Sequence, residues 1–319
     1  MMTNFSQALL SSFNVSTDYN TSENIMEYND GVPADGNSDI RIYLEIITST
    51  ICLLICPPGL VGNGTVIWLL GFRIKRNPFT VYILNLSIAD FGVLTMQVTF
   101  NLLFILQYFH LFSFYFIIYI LLYTMNIFAF IASQFLLIAI SIDRFVCVFF
   151  PLWHRFHRPP YLSTAVCVMI WILALVFTTG AILLDLLRFL FLFNAVLLAP
   201  IMCVSTLAML AKVRLRSLQQ KRGKLLRAIL LTLLFFLFFA FPINAICSLS
   251  FLKQPSLYAQ VYGYVCLNLN SAVNPFIYYL VGRGNRGRSS KRLSKVLEKL
   301  FKEEEDCREN QETSNETQL

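Results

Sequence analysis

The feature that most limits what this chain can fold into is the length of its uncharged runs. Between Pro78 and Ile142 the only formal charge is Asp90, and across the 51 residues from Tyr161 to Ala211 the only charges are Asp185 and Arg188. A helix rises about 1.5 Å per residue, so 51 residues extend about 76 Å, against a hydrocarbon core about 30 Å thick. Neither run fits one straight crossing. Each must turn where polar residues meet water: near Gln107, His110 and Ser113 in the first, and at Asp185 to Arg188 in the second. Cut this way, the chain holds seven spans, near 42–70, 78–106, 116–149, 161–184, 187–211, 225–251 and 257–281. At 57% hydrophobic and 13% charged residues it carries too little charge to cover a soluble domain. The fold class is an all-α membrane protein, a seven-transmembrane-helix bundle.

Orientation follows from the basic residues of the short loops. Arg73, Lys75 and Arg76 lie in the first, Arg155 and Arg158 in the third, and Lys212, Arg214, Arg216, Lys221, Arg222 and Lys224 in the fifth. The alternate loops hold little beyond Arg188 and Lys253. The basic loops therefore face the cytosol, and the first 41 residues lie outside. The net charge of +7 is explained by this asymmetry beside anionic lipid, and no basic soluble domain exists to bind nucleic acid. Eight cysteines show neither a CxxC pair nor a His/Cys cluster, so no metal site is expected.

The segments outside the bundle (42–281) carry their own signals. The outer tail, 1–41, has three sequons, at Asn4, Asn14 and Asn20, and is expected to be glycosylated. Beyond the last span, over 282–302, Leu293, Val296, Leu297, Leu300 and Phe301 repeat at helical spacing among Lys291, Arg292, Lys295, Lys299 and Lys302. That pattern predicts a short amphipathic helix on membrane lipids of the inner leaflet. The remainder, 303–319, reads as a disordered tail. Its Cys307 is a candidate for palmitate, though acidic neighbours favour a free thiol, and its final Thr317 and Leu319 fit a PDZ-protein ligand.

Several residues are costly inside a membrane. Asp90 lies mid-span, where a carboxylate costs about 2.5–3.5 kcal/mol on the insertion scale. Polar side chains at matching depth in other spans (Asn63, Ser133, Asn270, Ser271 and Asn274) predict a polar core able to hold a proton, water or a sodium ion; packing glue is the alternative. Asp143 and Arg144 sit together at the inner end of the third span, as an acid–base pair that can be released. Pro275 breaks a backbone bond in the last span, with Asn274 expected to satisfy the freed carbonyl and Tyr278 one turn on; Pro242 makes a hinge in the sixth.

Taken in order, Gly62-Asn63, "LSIAD" ending at Asp90, Asp143-Arg144, Trp171, Pro200, Pro242 and "NPFIY" at Asn274 to Tyr278 resemble the rhodopsin-like G-protein-coupled receptors over roughly 42–302. "GLVGNGTVIWLLGFRIKRNPFTVYILNLSIAD", "PLWHRFHRP", "FFAFP" and "NSAVNPFIYYLVG" are similar to the Mas-related receptor family. The resemblance implies a multi-pass plasma-membrane receptor, not an enzyme. It would carry the signal of a peptide or a small cationic or hydrophobic molecule to a heterotrimeric G protein, of Gq or Gi type. Asp143, Arg144, Pro242, Asn274, Pro275 and Tyr278 would serve activation, with Asn126 facing the ligand and Asp185 attracting a cationic one.

The sequence departs from that pattern in one place above all. Only 29 positions separate Trp171 from Pro200, leaving almost no loop between the fourth and fifth spans. The staples expected by resemblance are also missing: Tyr119 stands near one usual cysteine position, and no cysteine lies between Cys167 and Cys203. Either the chain turns tightly at Asp185–Arg188 and leaves an open pocket, or a loop has been lost and folding suffers. The rival functions are thus a non-signalling or partner-dependent receptor-like protein with a degenerate outer face, and a transporter. No internal repeat supports the transporter.

Overall fold

The computed structural model describes residues 36–74, 77–109, 116–150, 158–159, 161–184, 192–193, 196, 199–215, 230–235, 238–239, 257–283, 295–298 and 300–301. The chain divides into two units, 1–43 and 44–319, and the account below concerns the second. Every regular element among the described residues is helical. In chain order these are α1 (Gly36–Trp68), α2 (Pro78–Tyr108), α3 (Phe116–Phe149), α4 (Leu162–Leu183), α5 (Ala199–Leu215), a short α6 (230–235), α7 (Leu257–Arg283) and the terminal turns at 295–298 and 300–301.

Four of these helices are long and apolar enough to cross a membrane, and a shorter apolar stretch, Pro200–Lys212, lies within α5. The burial pattern is that of a protein dissolved in lipid. Asn63, Asp90, Ser133, Asn268, Ser271 and Asn274 are buried, while Leu54, Val61, Val168, Leu175 and Val176 are exposed. Lipid tails solvate leucine as well as a protein core does, so apolar side chains gain nothing by facing inward, whereas polar ones need each other. The chain is a multi-pass membrane protein.

α3 is the central helix. Its apolar window is 67% buried against 33% for α2 and 28% for α4, and it packs on α2, α4 and α5. Ser141 and Ser205 join hydroxyl to hydroxyl across α3 and α5. The long uncharged runs do resolve into separate helices, α2 with α3 and α4 with α5. The fifth helix continues beyond the expected end at 211, to Leu215. Lys212 lies 4.2 Å above the Phe149 ring, a cation–π contact that keeps a charged residue on the helix. The turn at Asp185–Arg188 lies outside the described residues.

Local sequence sets the start of α2. Asn77 Oδ1 accepts hydrogen bonds from the Phe79 and Thr80 amides (3.0 and 2.8 Å), and Asn77 N–H donates to Thr80 Oγ1 at 2.9 Å. With Pro78 in the first turn this is a complete capping box, worth about 1 kcal/mol. Before it, α1 ends in one π turn, Leu69–Arg73, closed by Ile74 N–H to Leu69 O at 3.0 Å.

The helix expected on the inner leaflet uses its apolar stripe differently. Val296, Leu297, Leu300 and Phe301 are at most 4% exposed, so protein rather than lipid covers them. Phe301 meets the Tyr278 ring edge-on at 6.1 Å. Lys295, on the same turns, is exposed.

Candidate functional site

Two polar clusters stand inside the bundle, one at mid-span and one at its basic end. At mid-span, Asp90 on α2 is wholly buried. Ser133 Oγ on α3 donates to its Oδ1 at 2.7 Å, and Asn274 Nδ2 on α7 donates to its Oδ2 at 2.7 Å. One carboxylate thus ties three helices together. Such charge-assisted bonds are roughly twice as strong as neutral ones.

Beside it, the carbonyl freed by Pro275 is satisfied by Asn63 and not by the expected Asn274. A proline removes the N–H that would bond the carbonyl four residues back, here Ser271 O. Asn274 points its amide to Asp90 instead. Asn63 on α1 meets that carbonyl: its Nδ2 donates to Ser271 O at 3.0 Å and to Gly59 O at 3.1 Å. Gly62 supplies the space. A Cβ there would stand 2.8 Å from Pro275 Cβ, below any ordinary contact. Gly62 and Asn63 therefore act as one device, clearance and cap, around the proline of another helix.

Asn268 on α7 extends this α1–α7 seam, accepting from Cys56 Sγ and donating to Cys52 Sγ, each at 3.2 Å. Asn63 Oδ1 and Asn270 Nδ2 are buried with no hydrogen-bond partner among the described residues. The Asp90 carboxylate with Ser133 Oγ, and the buried Asn63 Oδ1 on α1, are oxygens of the kind that suit a hard cation or water.

At the basic end, the expected Asp143–Arg144 pair exists but is not the tightest contact. Arg144 Nε lies 3.8 Å from Asp143 Oδ2, whereas Arg158 Nη2 lies 2.8 Å from Asp143 Oδ1. Arg158 Nη2 also donates to Ser163 Oγ, on the first turn of α4, at 2.6 Å. The Arg144 guanidinium carbon sits 3.4 Å above the Phe79 ring. Phe79 is in the capped first turn of α2, so the Asn77 box fixes the platform on which Arg144 rests.

Trp171 lies half-buried against Phe128 (5.5 Å between centroids) and donates Nε1–H to Asn85 Oδ1 at 2.9 Å, which links α4 to α2. Trp171→Phe should strand that acceptor and lower stability by about 1–2 kcal/mol. Thermal melting of the solubilised protein would show it as a midpoint a few degrees lower, and an unchanged midpoint would mean Asn85 finds another donor.

Of the expected site residues, the structure gathers Asp90, Ser133 and Asn274 directly, with Asn63, Asn270 and Ser271 buried on the flanking helices. Tyr278 is buried one turn beyond Pro275. Asn126 is half-buried on α3 and stands apart from both clusters. Tyr119, where a staple was expected by resemblance, stacks on Tyr123 at 6.2 Å and packs on Phe100 at 5.4 Å. Cys167 and Cys203 are free thiols. Pro242, Asp185, Asn4, Asn14, Asn20, Thr317, Leu319 and Cys307 lie outside the described residues. Phe79, Arg158, Ser163, Gly59 and the Cys52–Asn268–Cys56 seam were not anticipated as parts of a site.

Comparison with known proteins adds the context. Residues 62–189 match the family model of the seven-transmembrane receptors of the rhodopsin family. The chain is similar to the human proto-oncogene Mas, with 32% identity over 286 residues, 84% of this chain and 87% of that protein. It is similar to the mouse Mas-related G-protein coupled receptor member A6, with 32% identity over 289 residues, 83% and 93% of the two chains. With the human Mas-related G-protein coupled receptor member X1 it shares 30% over 294 residues, 85% and 88%.

Proposed function

The chain belongs to the Mas and Mas-related receptors of the rhodopsin family, a family of receptors and not of enzymes, and from that premise we propose that it carries an extracellular signal across the plasma membrane to a heterotrimeric G protein. The observation that carries the reading is Arg144, buried at the basic end of α3 and held there by the Phe79 ring of α2 and by Asp143, its neighbour on α3. A guanidinium kept by such replaceable contacts can be handed to a partner when the helices part. The basic loops put that end in the cytosol and the glycosylated tail outside. Outward movement of the sixth span about Pro242 would open the cleft, and Tyr278 would leave Phe301 to help hold it open.

The ligand is a peptide or a small cationic or hydrophobic molecule, with Asn126 and Asp185 as its contacts. A sodium ion fits the mid-span oxygens, and Asp90, Ser133 and Asn63 would hold it, supplying a charge that resists closure of the polar core. Lipid headgroups against the basic faces of the terminal helix, and a PDZ protein on Thr317 and Leu319, complete the partners.

Arg144→Ala tests the reading. At equal surface level, measured with an N-terminal epitope on intact cells, it should abolish basal and evoked G-protein signalling. Undiminished signalling would sink the mechanism. The few residues the sequence leaves between Trp171 and Pro200 favour a second reading, a partner-dependent receptor-like protein. That reading expects staining only after permeabilisation, or surface protein that stays silent until a partner is supplied.

A further inference from the structure

The basic end of this bundle is short of acid. Asp143 is the only carboxylate between Asp90 and Asp185, and none occurs between Asp185 and Glu298, a stretch that includes Lys212, Arg214, Arg216, Lys221, Arg222, Lys224 and Arg227. Two arginines nevertheless approach Asp143, and their geometry is unequal. Arg158 Nη2 makes the close contact at 2.8 Å and is itself steadied by Ser163 Oγ at 2.6 Å. Arg144 Nε stays at 3.8 Å, with its guanidinium over Phe79. The side chains of Asp143, Arg144 and Arg158 are each about nine-tenths covered. A covered carboxylate needs a close cation, because leaving it without one is strongly unfavourable.

We propose that Arg158 is a positioning residue for activation: by holding Asp143, it keeps the acid from capturing Arg144 and leaves Arg144 on the Phe79 ring, from which a G protein can take it. This rests on the reading that Arg144 makes the G-protein contact. The consequence runs against the simplest expectation for an ion pair. Removing Arg158 does not free the site, because Arg144 already stands 3.8 Å from Asp143 and can close on it. Arg144 should leave the ring and close on the acid, where the charge-assisted bond is stronger than the cation–π contact it replaces. Signalling falls although the G-protein contact residue is untouched.

The test measures basal nucleotide exchange on purified heterotrimers in membranes matched for receptor level. Arg158→Ala is expected to lose basal exchange toward the level of Arg144→Ala. Arg158→Lys should retain part of it, since a lysine supplies charge to Asp143 but its ammonium ends one bond short of the Nη2 that meets both Asp143 and Ser163. Asp143→Asn should signal above the unmodified protein. The double variant Asp143→Asn, Arg158→Ala should regain the exchange that Arg158→Ala loses, because no acid remains to capture Arg144. A merely structural role for Arg158 would leave the double variant as low as the single one. That result, or full basal exchange in Arg158→Ala, overturns the proposal.

A second measurement is independent of signalling. Thermal midpoints are compared in two double-mutant cycles, Asp143→Asn with Arg158→Gln and Asp143→Asn with Arg144→Gln. Non-additivity should be concentrated in the cycle with Arg158, and a larger coupling to Arg144 overturns the assignment. If every form were silent, the unmodified protein included, the G-protein reading would fall and the activation role with it. The cycles would still decide which arginine holds Asp143.

Discussion

Gly59→Leu is expected to yield little or no monodisperse protein after solubilisation. At Gly59 a bare Cβ would stand 2.7 Å from Ala272 Cβ, 2.9 Å from Ala272 Cα and 2.8 Å from Leu94 Cδ1. The leucine methyl of Leu94 can turn away, but the Ala272 backbone belongs to α7 and moves only with it. Overpacking a filled interior costs about 1–3 kcal/mol where side chains can adjust, and more where a helix must shift. Here a shift of α7 also pulls Asn268 from Cys52 and Cys56, and Ser271 O from Asn63. Gly59→Ala should lower the thermal midpoint measurably and Gly59→Leu should abolish folding. Ala272→Gly added to Gly59→Ala should restore part of the loss, because it removes the closest obstacle. Size-exclusion yield and melting decide the matter, and wild-type behaviour of Gly59→Leu would show that α1 and α7 are not held at this distance.

That seam also shows what could and could not be read from the residues. Helix positions were legible because uncharged length is a property of the sequence alone: the expected 116–149 and 257–281 meet helices at Phe116–Phe149 and Leu257–Arg283. The Asp90 cluster was legible for a related reason. A buried carboxylate must find donors, and Ser133 and Asn274 were among the few at its depth. Gly59 was not legible, since a glycine in a helix looks the same whether a neighbour presses on it or not. Nor was the division of labour between Asn63 and Asn274. Both are amides near Pro275, and only the approach of α1, set by Gly62, brings Asn63 to Ser271 O. Arg158 was visible merely as a loop charge of the kind that orients any membrane protein. Its pairing with Asp143 depends on where the chain re-enters at Ser163, which no local pattern encodes. The terminal helix is expected from periodicity over 282–302, and helical turns stand at 295–298 and 300–301. Periodicity cannot say which apolar phase a stripe faces, and Phe301 against Tyr278 shows it facing protein.

Asp90→Ala should lower stability by about 2–4 kcal/mol, even though an alanine is far cheaper to place in a membrane than a carboxylate. The balance is decided by what the carboxylate leaves behind. Ser133 Oγ–H and Asn274 Nδ2–H, 0% and 3% exposed, both lose their acceptor. A buried donor without a partner costs about 1–3 kcal/mol, and two are stranded at once. Against this stands the relief of no longer desolvating a carboxylate, which keeps the net loss below the sum of the two stranded donors. Asp90→Asn should cost less, because one amide oxygen can still accept from Ser133, while its NH2 group faces the NH2 of Asn274. Melting in sodium chloride and in choline chloride separates this hydrogen-bond role from the cation proposed for the same oxygens. A bound ion stabilises by RT ln(1 + [Na⁺]/Kd), about 2.7 kcal/mol at a hundredfold excess over Kd. The unmodified protein should therefore melt higher in sodium, and both variants should melt alike in the two salts. A sodium-independent midpoint in the unmodified protein would remove the ion and leave the three-helix hydrogen-bond cluster as the whole function of Asp90. An Asp90→Ala protein as stable as the parent would remove that cluster instead, and would mean that Ser133 and Asn274 satisfy each other or water without it.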